Sequence, residues 1–367
     1  MMGALEEATE HQGRARVALT AALAGEPSHA YLFRGPRGSG KRAAARAFAA
    51  EVLAAAAEDP ADARRRALLD PSPHPDLVWL APTGAQHMVE EVRERVIRAA
   101  AYRPFEGAKR VFVVEAAEAM RDESQNALLK TLEEPPGFVH LILLSSEGEG
   151  LLETVASRCQ VVDFAPLPAE VLEEELAAAG APPDEGTAAA RLAAGDLERA
   201  RLLLSAAGRD LRADVERCIA AAIAGRCAGA PWAGLLDRAK AAGDDAEAAT
   251  REALEEESKA GVKRTAKDVN DAAKRTGRRR RTEILALAFE LCATWLRDLA
   301  AVASGAEEVA FNRDRLDFLR SQAQELDPVA VGRGAELVQE TRRGLELNVS
   351  EELALEALFF RLESLLG

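Results

Sequence analysis

Arg121-Asp-Glu-Ser-Gln-Asn-Ala-Leu-Leu-Lys-Thr-Leu-Glu-Glu-Pro-Pro136 is the stretch whose reading decides the fold. Leu128, Leu129 and Leu132 recur at helical spacing, and Pro135 and Pro136 end the helix because proline has no amide to continue it. At its start Asp122 is expected to cap the helix, with Gln125 completing a capping box. The apolar run His140-Leu-Ile-Leu-Leu144 follows at strand length, and then a Ser157-Arg-Cys159 turn.

Outward from that stretch, four more short apolar runs read as strands: Tyr31–Phe33, Leu77–Leu80, Val111–Val114 and Gln160–Phe164. Helical segments alternate with them, among them Val89-Glu-Glu-Val92-Arg-Glu-Arg-Val96, whose valines recur every three to four residues. Strands apolar on both faces and separated by helices imply an α/β domain around a five-stranded, mostly parallel sheet. After Phe164 the strand signals stop. Pro166-Leu-Pro168 opens a short helical region to about Ala207, with Gly180–Pro183 as an internal turn. From about Asp210 to Gly367 the pattern is helical, with interruptions near Gly225–Pro231, Ser304–Ala306 and Pro328–Gly334. The expected division is an α/β unit at 1–164, a small helical lid at 165–208 and an all-α domain at 209–367.

Residues 240–282 are strongly charged and end in the basic cluster Lys274–Arg281. That cluster reads as a solvated helix turn or a linker, or else as a surface for DNA or an acidic partner, partly neutralised by the acid-rich 252–257.

A chain of 367 residues with 48% apolar residues can bury a full core. A net charge of −14 argues against a whole-surface nucleic-acid binder, since phosphate contact needs positive charge, but leaves room for a local basic patch, and only 4% aromatics leave no evident stacking platform for single strands. Cys159, Cys218, Cys227 and Cys292 show neither metal-ligand spacing nor a disulfide framework. The first residues lack the pattern of a signal peptide and no apolar run reaches membrane-spanning length, so the expectation is a soluble cytoplasmic protein with no membrane partner.

Gly35-Pro-Arg-Gly38-Ser39-Gly40-Lys41 follows the first strand and opens a helix, as a phosphate-binding loop does. Its glycines let backbone amides surround phosphate oxygens, the helix N-terminus adds positive potential, and Lys41 reaches the outer phosphates. The alternative is a loop that keeps its shape without nucleotide. Where this motif has a Ser or Thr hydroxyl to ligate Mg²⁺, the chain has Arg42. The third strand of an active ATPase of this type ends in Asp-Glu; here Glu115 and Ala116 stand in those places, so that Glu115 could still hold a metal at longer reach but Ala116 cannot polarise water. Hydrolysis is therefore not expected. Ser145 and Ser146 fall where the fold places a polar sensor of the γ-phosphate, or simply cap a strand end.

Together these residues resemble the clamp-loader subunits of bacterial DNA polymerase III, in the AAA+ family. The resemblance covers roughly residues 10–205 and rests on His29-Ala-Tyr-Leu-Phe33, His74-Pro-Asp-Leu77, Asn126–Pro136 and Ser157-Arg-Cys159. Because Arg42 and Ala116 break the ATPase pattern, the chain is most similar to the inert delta-prime type. That resemblance implies a heteropentameric ring with motor (gamma/tau) and delta subunits, which opens a sliding clamp and places it on primed DNA. It implies a rigid stator whose C-terminal helices join a collar, and makes Arg158 an arginine finger donated in trans to a neighbour's γ-phosphate. A solvated arginine between two turns is the plain alternative. In the lid motif Gly195-Asp-Leu-Glu198-Arg199 the second sensor arginine falls on Glu198, with Arg199 one residue off. Residues 51–73 lack the four cysteines that hold zinc in many relatives, so no zinc is expected there, and ATP or ADP is left as the one candidate cofactor, in a degenerate loop. An active motor subunit or free-standing ATPase, and an unrelated scaffold on the same shell, are the competing readings.

Overall fold

The computed structural model describes residues 3–82, 86–146, 150–259, 265–324, 326–345 and 350–367. It divides into two compact units, Met1–Leu167 and Pro168–Gly367.

The first unit is built on the expected five-stranded sheet. Its strands are β1 (Ala30–Arg34), β2 (Leu77–Leu80), β3 (Arg110–Val114), β4 (Val139–Ser145) and β5 (Gln160–Asp163), in the order β2-β3-β4-β1-β5 with every neighbouring pair parallel. The inner strands β1, β3 and β4 are buried along both faces, as their near-continuous apolar runs require, whereas the edge strand β5 buries only Val162. Tyr31, Phe33, Val111, Val113, Ile142 and Leu144 pack on one side with the helix Lys41–Ala54. Ala30, Leu32, Phe112, Val114, Leu141 and Leu143 pack on the other with the helix Asp122–Glu133. β1 and β4 run in register, Phe33 opposite Leu144 and Arg34 opposite Ser145, so both strands end beside the loop that starts at Gly35.

Two local expectations are corrected. Arg121, not Asp122, occupies the cap position of the helix Asp122–Glu133, and no side chain caps it. Asp122 lies in the first turn, where its charge favours the helix dipole. The buried Gln125 is drawn inward instead: it donates to Met120 O (2.9 Å) and Gly150 O (2.8 Å) and accepts from Leu152 N (2.7 Å), satisfying loop groups that water cannot reach. The valine-spaced helix is real only over Val89–Val92 and continues as a π-helical turn over Arg93–Arg98, with Val92 and Val96 buried.

In the second unit the described elements are helices, some of them 3₁₀ turns. Residues 240–282 fall largely in two long helices, Ala233–Lys259 and Ala266–Ala303; residues 260–264 of that segment lie outside the described residues. The basic cluster is thus mid-helix, because Ala272, Ala273, Gly277 and Ile284 supply a buried stripe at helical spacing. Pro328 does not interrupt a helix but opens one, Pro328–Leu345, since its missing amide costs nothing in a first turn; Asp327 accepts from Val329 N (3.1 Å) and Ala330 N (3.3 Å). Among the described residues no helix is long and apolar enough to cross a membrane.

Candidate functional site

The phosphate loop has the shape its glycines allow. Gly35 N donates to Ser145 O at 3.1 Å, and a Cβ on Gly35 would sit 2.2 Å from Phe164 O, so only glycine fits between β1 and the end of β5. Gly38 and Gly40 have φ of 69° and 85°, the left-handed region. Lys41 is buried at the start of its helix and donates from Nζ to Pro36 O at 2.8 Å. Gln12 Nε2 donates to Ser39 O (2.9 Å) and Ala165 O (2.8 Å), while its Oε1 accepts from Ala165 N (3.0 Å), tying the loop to the end of the sheet domain. Ser39 Oγ is buried with no hydrogen-bond partner. Loop backbone and Lys41 fit a phosphate.

A divalent metal does not fit. Arg42 Nε lies 2.7 Å from Glu115 Oε1, and Trp79 Nε1 donates to the same oxygen. Arg42 Nη2 reaches Asp70 Oδ2 at 3.1 Å, and Arg46 Nη2 holds Asp70 Oδ1 at 2.9 Å while its guanidinium lies 4.3 Å from the Trp79 ring centroid. Burial lowers the Arg46 pKa, and the charge of Asp70 works against that shift. The positions that would ligate metal are thus spent on one another. Trp79, Asp70 and Arg46 escaped sequence reading, although Arg42 and Arg46 stand one helical turn apart on a common face.

Beyond Glu115 the chain turns at Ala116 (φ 47°), which offers only a methyl group. Ser145 is buried at the end of β4, across from Arg34, and Ser146 N donates to Glu118 Oε1 at 3.1 Å. The structure thus gathers Gly35, Gly38, Ser39, Gly40, Lys41 and Ser145 around one loop, with Arg42 and Glu115 bonded beside it.

Arg158 is placed elsewhere, just past the short helix Glu153–Ala156. Its Nη1 donates to Thr154 O at 2.7 Å and its Nη2 pairs with Glu133 Oε1 at 2.6 Å. Cys159 Sγ donates to Val155 O at 3.4 Å, and burial pushes its thiol up to about 12, so it packs as an inert thiol. In the second unit Arg199 pairs with Glu290, which also holds Arg342 at 3.1 Å; Arg199 is committed to the helical packing. In the basic cluster Arg279 and Arg280 pair with Glu283 along their own helix, and Arg281 pairs with Glu351 of the last helix, Glu351–Leu366. Among the described residues no group of three or more His, Cys, Asp or Glu could hold a metal ion.

Comparison with known proteins bears on this arrangement. Residues 14–168 match the family described as DNA polymerase III, delta subunit. The chain is 39% identical over 181 residues to the DNA polymerase III subunit delta' of Pseudomonas aeruginosa, covering 42% of this chain and 54% of that protein. It is 32% identical over 154 residues to the delta' subunit of Bacillus subtilis, covering 41% and 46%. It is 35% identical over 158 residues to the gamma/tau subunit of Mycobacterium tuberculosis, covering 42% and 27%. The matched stretch spans about half the length of the delta' relatives, and it contains the phosphate loop, Glu115, Ser145 and Arg158. Residues 14–168 are thus similar to the family described as DNA polymerase III, delta subunit, and the relatives that resemble the chain over about that length include DNA polymerase III subunits delta'.

Proposed function

We propose that the chain is the catalytically degenerate AAA+ stator of a clamp loader: it helps place a sliding clamp on primed DNA, hydrolyses no ATP of its own, and lends Arg158 to the nucleotide of a neighbouring ATPase subunit. The carrying observation is the contrast between Ala116 and Arg158. Where a carboxylate would polarise the attacking water there is a methyl group on a left-handed turn, whereas the Arg158 side chain keeps 35% exposure at a surface turn. Loss of the group that positions the nucleophile slows hydrolysis by orders of magnitude, but an arginine acting in trans needs only to be reachable.

In this reading the partners are gamma/tau motor subunits and a delta subunit in a heteropentameric ring in the cytoplasm, and clamp and DNA are met through that assembly. Residues 165–208 act as the lid and 209–367 as the collar. ATP or ADP is the ligand class that the glycine loop and Lys41 suit.

The test is ATP turnover by the purified chain with Mg²⁺, followed by Arg158→Ala in a reconstituted loader. Turnover at the no-enzyme background, with loader activity lost in the variant, is expected. Robust Mg²⁺-dependent turnover by the chain alone would put an active ATPase in place of the stator.

A further inference from the structure

The two departures from the ATPase pattern, Arg42 after the loop lysine and Glu115 at the end of β3, are far apart in sequence, yet their side chains meet at 2.7 Å. We infer that Arg42 is a built-in cation that replaces the divalent metal of the phosphate loop: it neutralises Glu115 permanently and shuts Mg²⁺ out, so that any nucleoside phosphate held by the loop is held without metal. This deepens the stator reading and rests on it for the claim that the loop belongs to a non-hydrolysing site.

Donor chemistry makes the argument. Mg²⁺ demands an octahedral shell of oxygens at about 2.0–2.1 Å, usually from a hydroxyl, a carboxylate and phosphate. Arg42 removes the hydroxyl, and its guanidinium has donors only. The Glu115 oxygen that could ligate already accepts from Arg42 Nε and Trp79 Nε1. A metal at Glu115 would have to break both bonds and bring its own charge beside a guanidinium that never deprotonates. Asp70 also contacts the guanidinium, at Nη2 (3.1 Å), and Arg46, seated on Trp79, holds Asp70 in turn, so Arg42 is oriented toward Glu115 from a second side. Charge balance follows: a divalent ion on one carboxylate leaves a surplus positive charge for phosphate, whereas a guanidinium on one carboxylate leaves none. Phosphate affinity then comes from the loop amides and Lys41 alone, and is weak and indifferent to chelators.

The experiment uses the full chain and Mn²⁺, read by electron paramagnetic resonance with and without ADP. The wild-type chain is expected to leave the Mn²⁺ and Mn²⁺–ADP signals unchanged. Arg42→Ser is expected to immobilise one Mn²⁺ in the presence of ADP, and Glu115→Gln in that background to release it. A thermal double-mutant cycle runs beside it: Glu115→Gln lowers the melting midpoint, and Arg42→Ser adds little further loss because the pair is already broken. A wild-type chain that immobilises Mn²⁺ and loses it on Glu115→Gln overturns the inference, as does a folded Arg42→Ser chain that stays blind to Mn²⁺. Should Arg42→Ser fail to fold, the wild-type measurement still decides. Mn²⁺ bound by the wild type with ATP turnover at background would remove this inference and leave the stator standing.

Discussion

Arg158 Nη2 sits 2.6 Å from Glu133 Oε1, so the Ser-Arg-Cys turn and the Asn126–Pro136 run meet in space. Glu133 is the last residue of its helix, and Thr154 O fixes the other guanidinium nitrogen at 2.7 Å. The pair is solvated on both sides, at 35% and 50% exposure, and such pairs are worth about 0–1 kcal/mol. It can orient the arginine without sequestering it from a more highly charged phosphate. Arg158→Ala should therefore cost the isolated chain less than about 1 kcal/mol in denaturant titration. In a reconstituted loader it should cut the neighbour's ATP turnover by on the order of 10³-fold. A large stability loss with unchanged turnover would assign Arg158 a purely structural role.

Gly35 offers a sharper structural test. Its Cβ direction runs into Phe164 O at 2.2 Å and Phe164 Cβ at 2.9 Å, and Phe164 N is itself bonded to Arg34 O at 2.7 Å, so the obstacle cannot rotate away. Gly35→Ala should destabilise the sheet domain by about 3 kcal/mol, at the upper end of overpacking costs, because two backbones must part. Calorimetry of the full chain reads this directly, and a change below about 0.5 kcal/mol would mean that the loop relaxes freely.

Most of the sheet domain could be read from residues alone. Runs such as Val111–Val114 can satisfy two buried faces only as inner strands, and all five expected strands recur within a residue or so at each end. The glycine loop was legible because Gly38 and Gly40 adopt a backbone that few other residues tolerate. The Arg42–Glu115 pair was not: each residue looked like damage on its own, and it is the parallel pairing of β2 and β3 that sets Trp79 beside Glu115, while Asp70 and Arg46 reach Arg42 and Trp79 from the loop before β2 and the helix Lys41–Ala54. Gln125 was misread for a similar reason, since its partners Met120 and Gly150 are set by loop closure rather than by helix pattern. In Lys274–Arg281 the charges masked the alanine and glycine stripe that makes that segment a packed helix.

Two histidines of the sheet domain set its acid limit. His140 is buried with Nδ1 2.9 Å from Ser28 O and Nε2 without a partner, and His74 is buried with Nδ1 accepting from Asp76 N at 3.2 Å. Burial, chiefly, holds both below the ordinary 6.5. The unfolded chain then binds more protons than the folded one below that value, so their contribution is full above pH 6.5 and is lost as pH falls through the depressed values. The urea midpoint should drop as pH falls below 6.5. Imidazole resonances titrating at or above 6.5 for either residue would contradict this account.

The long helices of the second unit make a claim in which two effects compete. A Cβ on Gly277 would lie 2.9 Å from Gly243 O and 3.1 Å from Glu247 Cβ, and a Cβ on Gly243 would lie 2.9 Å from Gly277 O. The helices Ala233–Lys259 and Ala266–Ala303 therefore touch backbone to backbone at this pair. Alanine in place of a mid-helix glycine normally adds about 1 kcal/mol of helix preference, whereas overpacking costs about 1–3 kcal/mol. The clash should win at Gly277, because a carbonyl belonging to the facing helix cannot turn aside as a side chain would. Gly332, within the helix Pro328–Leu345 and with nothing within 4 Å of its Cβ position, isolates the other effect. Gly277→Ala should lower stability by about 1–2 kcal/mol while Gly332→Ala raises it by about 0.5–1 kcal/mol. Opposite signs in paired denaturant titrations confirm the close approach, and a gain at both positions would show that the helices are farther apart at Gly243 and Gly277 than this packing requires.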